Sequence, residues 1–282
     1  MSAALRFFFL AMLASASGYC SDSGAAEDLS NHIRYAFSTR TNGSAQVFSK
    51  YVSGTAFARN RAFWLRGLNG LSGIHAGYGP GATAITRWHV LGANHSKHDA
   101  GSTLIFCDLQ DRAVVRTVVA GTEIRPDIKS DIWLAVLDEP LPASIVPLAL
   151  MRGDWTNRVH APGLPVAAMN QASAMGCAEL ISLRQGVNGW FRHGYAYRAP
   201  GLAPTLRFEP LHGGDSGYPI VTIVETNLVL LGHLTFEPSA ASFLGPDYSQ
   251  YADDIQAAIR TLGTNSLATS AKLAPIDLGR FR

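Results

Sequence analysis

From about residue 50 onward the chain is a succession of short apolar runs, each broken within a few residues by Gly, Pro, Asn or Asp. The runs lie at Thr83–Thr86, Thr103–Phe106, Val114–Val119, Ile132–Leu137, Val146–Leu150, Ala178–Leu183, Thr205–Phe208, Ile220–Val224 and Leu228–Phe236. They are rich in Val, Ile, Leu and Phe, which fit a pleated, half-buried surface. Short strands at regular spacing with turn signals between them predict an all-β barrel or sandwich. Glu225-Thr226-Asn227 separates two of the runs and reads as a hairpin connection. One helix closes the series over residues 249–262, where Tyr251, Ile255, Ala258, Ile259 and Leu262 recur at helical steps. Ser249 is placed to cap it and Gly263 to stop it. Residues 20–45 are polar and turn-rich and read as a linker or loosely attached arm. Residues 264–282 read as a loose tail.

Composition narrows the function classes. The apolar fraction is 47% and the formal net charge only +2, which excludes disorder for the bulk of the chain. Three Cys in 282 residues are too few for a disulfide scaffold. The 23 basic residues never form a run, so no nucleic-acid footprint is read. The first 19 residues carry one charge, Arg6, then Phe7–Leu13, then small residues. That order describes a secretory signal peptide, with Ala14-Ser15-Ala16 and Gly24-Ala25-Ala26 as cleavage candidates. Tyr19 before Cys20 argues against a lipid anchor. No run reaches the ~18 apolar residues of a membrane span. The protein is therefore expected to be secreted or periplasmic. In that oxidising setting Cys107 and Cys177 either pair or remain two separate buried thiols; the residues leave both open.

The chemistry concentrates in Leu211-His212-Gly213-Gly214-Asp215-Ser216-Gly217-Tyr218-Pro219. A Ser between two Gly, preceded by Asp and followed by an apolar strand, is an unusual arrangement. Gly allows backbone angles that can turn the N–H groups of Gly214 and Ser216 toward one point. Convergent donors beside a nucleophile make an oxyanion hole. A nucleophilic Ser also needs a base, and the base an orienting carboxylate. His89 follows the run Ala84-Ile85-Thr86, and Asp131 directly precedes Ile132–Leu137.

These segments resemble the trypsin-like, chymotrypsin-fold serine proteases, in the manner of a compact bacterial member. Thr86-x-x-His89-Val90 is similar to the family's T-x-x-H, Ser130-Asp131-Ile132-x-Leu134 to its D-I-A-L, and Gly214-Asp215-Ser216-Gly217-x-Pro219 to its G-D-S-G-G-P. The resemblance covers about residues 50–262. It implies two antiparallel six-stranded β-barrels, the first at about 50–140 and the second at about 146–240, with a C-terminal helix at 249–262. A signal and processing region (1–26) and an arm (27–49) precede this region, and a tail (263–282) follows it. It further implies a serine endopeptidase without metal or other cofactor, acting on protein or peptide substrates as a monomer. Ser216 would be the nucleophile, His89 the general base, Asp131 its orienting partner, and Gly214 with Ser216 the oxyanion donors. Thr235 would support Asp131, and Pro210, Leu211, Phe236 and Glu237 would border the substrate cleft.

Three departures bear on the reading. No I-V-G-G-like start follows a basic residue, so Asp215 lacks the freed amine that pairs with the family's equivalent carboxylate. Tyr218 stands where the family prefers a small residue and either crowds the site or points away. No acidic residue occupies the position six before Ser216, which argues against a taste for Lys or Arg. The cluster His89, His95, His98 and Asp99 does not match a zinc spacing, and Asn94–Asp99 reads as a polar loop. The alternative function is a catalytically inactive or latent binding module on the same fold, since fold alone does not fix activity.

Overall fold

A computed structural model describes residues 28–52, 56–160, 162–184, 193–198, 209, 211–239 and 242–281. The signal-like segment, the Thr205–Phe208 run and Pro210 lie outside the described residues. The chain is mostly β, with 39% strand against 19% helix.

After α1 (Leu29–Ser38) come β1 (Phe48–Val52) and β2 (Ala56–Arg59), which form a two-stranded hairpin. Next follow β3 (Ala82–Ala84), β4 (His89–Ala93), β5 (Thr103–Cys107), β6 (Ala113–Ile124) and β7 (Ile132–Leu137). They make an antiparallel sheet in the order β3-β4-β7-β6-β5. Residues 74–76 nearly close it into a barrel. Ile74 bridges Thr83 of β3, and His75 bridges Phe106 of β5. Val90, Leu104, Phe106, Trp133 and Leu137 fill its interior, each at most 2% exposed.

The second sheet has eight strands: β8 (Ala149–Leu150), β9 (Leu164–Met169), β10 (Met175–Arg184), β11 (Gly194–Arg198), β12 (Pro219–Val224), β13 (Asn227–His233), β14 (Phe236–Ser239) and β15 (Ser242–Pro246). Their order is β14-β15-β11-β10-β9-β12-β13-β8, antiparallel except for β8 against β13. The described strands thus form sheets of five and eight where six and six were expected. The expected hairpin is present: Glu225 and Thr226 turn β12 into β13, Glu225 with φ +58°.

The ends of the chain correct the sequence reading. The stretch read as a loose arm holds α1, capped by the Asp28 carboxylate on the Ser30 and Asn31 N–H groups. Its Leu29, Ile33 and Phe37 are at most 1% exposed and join the large core beneath the second sheet. Arg34 at the far side donates to the Gly163 and His160 carbonyls. The helix predicted over 249–262 is α2 (Ala252–Leu262) and starts later than predicted, because Asp247 rather than Ser249 caps a preceding tight turn. Gly263 does end it. The tail is not loose. It forms the short helix α3 (Ser266–Thr269), bridges Leu150 through Pro275, and buries Leu278 and Phe281. Cys107 and Cys177 are both buried and free, so the two do not form a disulfide.

Candidate functional site

The site grows from strand ends. β4 and β7 run antiparallel with Ala93 opposite Ile132, so the residues just after β4 lie beside those just before β7. His95 and Asp131 occupy those two places. The Asn94 N–H donates to the Asp131 carbonyl at 2.8 Å, which locks the junction. Asp131 itself has φ +60°, a left-handed conformation that Asp tolerates better than most residues.

The Asp131 carboxylate grips His95 twice. Its Oδ1 accepts the His95 backbone N–H at 2.9 Å, and its Oδ2 accepts the ring Nδ1–H at 2.8 Å. With the proton held on Nδ1, the opposite ring nitrogen is an acceptor. That atom, Nε2, lies 2.8 Å from Ser216 Oγ, so the hydroxyl donates to it. The Ser216 hydroxyl, the His95 ring and the Asp131 carboxylate are thereby in series, the order that nucleophilic catalysis needs.

Asp131 has a second neighbour that sequence reasoning missed. His233, 1% exposed, brings Nε2 to 3.7 Å from Asp131 Oδ2 and 3.0 Å from Thr235 Oγ1. Its Nδ1 lies 2.6 Å from the Tyr248 hydroxyl. A carboxylate beside Nε2 favours the tautomer with the proton there, so Tyr248 donates to Nδ1. Burial alone would raise the Asp131 pKa. The contacts from His233 and His95 override it and hold the carboxyl well below the usual carboxylate range. Thr235 therefore contacts His233, whose Nε2 also faces the carboxylate.

His89, expected to be the base, is elsewhere. It opens β4, and the strand carries the chain about 13 Å further before His95 is reached. It is fully buried, and burial lowers its pKa to about 4, so it is neutral. Thr86 Oγ1 accepts the backbone N–H groups of Trp88 and His89 at 3.0 Å each and lies 2.9 Å from His89 Nδ1. The T-x-x-H spacing here makes a local turn. The overlooked signal was the apolar stretch Val90-Leu91-Gly92-Ala93. A histidine that opens this strand is at the wrong end of it.

The loop that carries Ser216, residues 211–218, is pinned from the ends of both sheets. The Gly81 N–H donates to the Ser216 carbonyl at 2.8 Å, and the Gly217 N–H to the Leu234 carbonyl at 2.8 Å. Gly214 has φ +103°, which a side chain would strain. Among the described residues no acceptor takes the N–H of Gly214 or of Ser216. The Tyr218 hydroxyl donates to the Gly77 carbonyl at 2.9 Å and the side chain is wholly buried, so it does not crowd the site.

A cavity of about 120 Å³ opens beside Ser216, lined by Leu211, His212, Leu234, Thr235 and Phe243 among others. Leu211 thus lines the same cavity as Ser216. Phe236 and Glu237 lie in β14, with side chains outside the described residues.

No family model matches the chain. No curated protein matches it either. Among the described residues no group of three His, Cys, Asp or Glu side chains is arranged to hold a metal ion. No helix there is long and apolar enough to cross a membrane.

Proposed function

We propose that the protein is a serine hydrolase that cleaves peptide bonds through an acyl-enzyme. The two sheets are then the counterparts of the two barrels of the trypsin-like proteases, and the site lies where they meet. The observation that carries the reading is His95, whose two ring nitrogens are 2.8 Å from Ser216 Oγ and 2.8 Å from Asp131 Oδ2.

In this mechanism Ser216 Oγ attacks the substrate carbonyl as His95 Nε2 takes the hydroxyl proton. Asp131 stabilises the imidazolium so formed. The Gly214 and Ser216 N–H groups donate to the oxyanion. Such donors lower the barrier by about 3 kcal/mol each in known cases. His95 returns its proton to the leaving amine as the C–N bond breaks. Water, activated by His95, then hydrolyses the ester on Ser216 and restores the enzyme. The leucines and Phe243 beside Ser216 favour an apolar side chain at the residue donating the scissile carbonyl. The sequence start supports secretion as the setting.

The test is pre-steady-state hydrolysis of chromogenic peptide esters. A burst of one leaving group per protein, larger kcat/KM for apolar than for lysyl esters, and loss of both in Ser216→Ala are expected. Turnover of the esters without a burst, surviving in Ser216→Ala, would overturn the acyl-enzyme reading.

A further inference from the structure

The nucleophile loop contains a carboxylate, Asp215, only 3% exposed. A buried carboxylate must be paired or hydrogen-bonded. Here two backbone amides do it. The Gln171 N–H donates to Oδ1 at 2.9 Å, and the His212 N–H to Oδ2 at 2.6 Å. The first of these donors comes from the turn between β9 and β10.

That turn is itself held on both sides. On its inner side Asn170 Oδ1 accepts the N–H groups of Ala172 and Ala174 at 3.1 and 3.0 Å. On its outer side it pairs with the chain that follows α1. The Val47 N–H donates to the Ser173 carbonyl and the Met175 N–H to the Ala45 carbonyl, both at 2.9 Å. The Trp64 indole N–H donates to the Met175 carbonyl at 2.7 Å. Gln171 also lies against the loop directly. A Cβ on Gly214 would sit 3.1 Å from its amide nitrogen and oxygen.

We infer that Gln171, set by Asn170 and by residues 44–47, is a positioning residue that holds the nucleophile loop in its working shape. This rests on the reading of Ser216 as nucleophile. The clamp acts through a continuous chain, so the site forms without a freed N-terminal amine and without proteolytic activation. The donor is a backbone amide fixed by its neighbours, and the arm before β1 is its outer support.

The experiment compares four proteins: the chain from residue 27, the same chain with an uncleaved N-terminal extension, the unextended chain with Asn170→Ala, and the unextended chain with Asp215→Asn. Each is assayed for kcat and KM on a peptide ester, for fluorophosphonate labelling of Ser216, and for amide hydrogen exchange. The extended chain is expected to turn over at the rate of the unextended one. Both substitutions are expected to lower kcat at least tenfold with KM within about threefold. Exchange should rise about tenfold or more across 212–217 and stay unchanged in β7, with the pH position of the acid limb unmoved. Activity that appears only after a cleavage frees a new amine would overturn the inference. So would exchange at 212–217 that ignores Asn170→Ala, or a rise that spreads through β7. If no form labels while exchange at 212–217 still follows Asn170, the clamp stands and the hydrolase reading falls. If the chain hydrolyses esters and exchange does not follow, the clamp alone falls.

Discussion

At the scale of single residues, the histidine that opens β4 and the one just beyond its end show how position outranks residue type. His89 and His95 lie six residues apart in one segment, yet one is sealed in the interior and the other is held between a carboxylate and a hydroxyl. Gly214 permits a sharper test of the oxyanion site. In Gly214→Ala the new Cβ is strained at φ +103° and meets Gln171 at 3.1 Å. Its kcat on a peptide ester is expected to fall about 10²–10³-fold, the loss typical of one oxyanion donor. A variant within threefold of the parent would count against that site. His233 calls for a different readout. Its removal takes one supporting contact from Asp131 and weakens the hold on His95. His233→Ala is expected to lower kcat about tenfold, equivalent to one pKa unit of interaction, with KM little changed. Steady-state kinetics showing a KM effect alone would assign His233 to packing. Of the proposed site, Ser216, Asp131 and Gly214 were legible in the sequence because a Gly-flanked Ser loop and a carboxylate ahead of a strand leave local marks. His95 and His233 were not, because their roles arise from pairing between strands distant in sequence.

At the scale of elements, the strands were the readable part. Ile132–Leu137 was read with its observed bounds, since a six-residue run buried on both faces has no polar break to blur its ends. Strand order was beyond reach, as neither the β13–β8 parallel pair nor the bridging residues 74–76 leave a periodic pattern. Helix α1 was missed for a different reason. Composition averages its two faces, and the Ser, Asn, His and Arg of the outer face mask the stripe Leu29, Ile33, Phe37 on the inner one. That stripe makes α1 part of the core. Phe37→Ala, at a position 1% exposed, is expected to cost about 3–5 kcal/mol. Chemical denaturation should show the midpoint falling with the slope preserved. A change below about 1 kcal/mol would return α1 to the status of a loose arm.

At the scale of the whole molecule, the two sheets meet at a site that neither builds alone: the first supplies His95 and Asp131, the second Ser216 and His233. The same burial that organises the chain makes it acid-sensitive. Burial lowers the pKa of His75 to about 3, with His98 adding to it, and that of His89 to about 4. In the unfolded chain both return to about 6.5. Below that value the unfolded state binds protons that the folded state refuses, so this stability is full above about pH 6.5 and is lost as pH falls through about 4 for His89 and about 3 for His75. The Tm is expected to drop between pH 6.5 and 5, with His89→Gln flattening the drop; a Tm independent of pH in that window would contradict the assignment. The central claim is that His95, rather than His89, activates Ser216. Its most direct test is the rate at which a fluorophosphonate labels Ser216 in the parent chain, in His95→Ala and in His89→Gln, each verified as folded by its melting transition. The account predicts rapid labelling of the parent and of His89→Gln, with a rate about 10⁴-fold or more lower in His95→Ala, as for loss of a triad base. Labelling of His95→Ala at the parental rate, or its loss in folded His89→Gln alone, would contradict it.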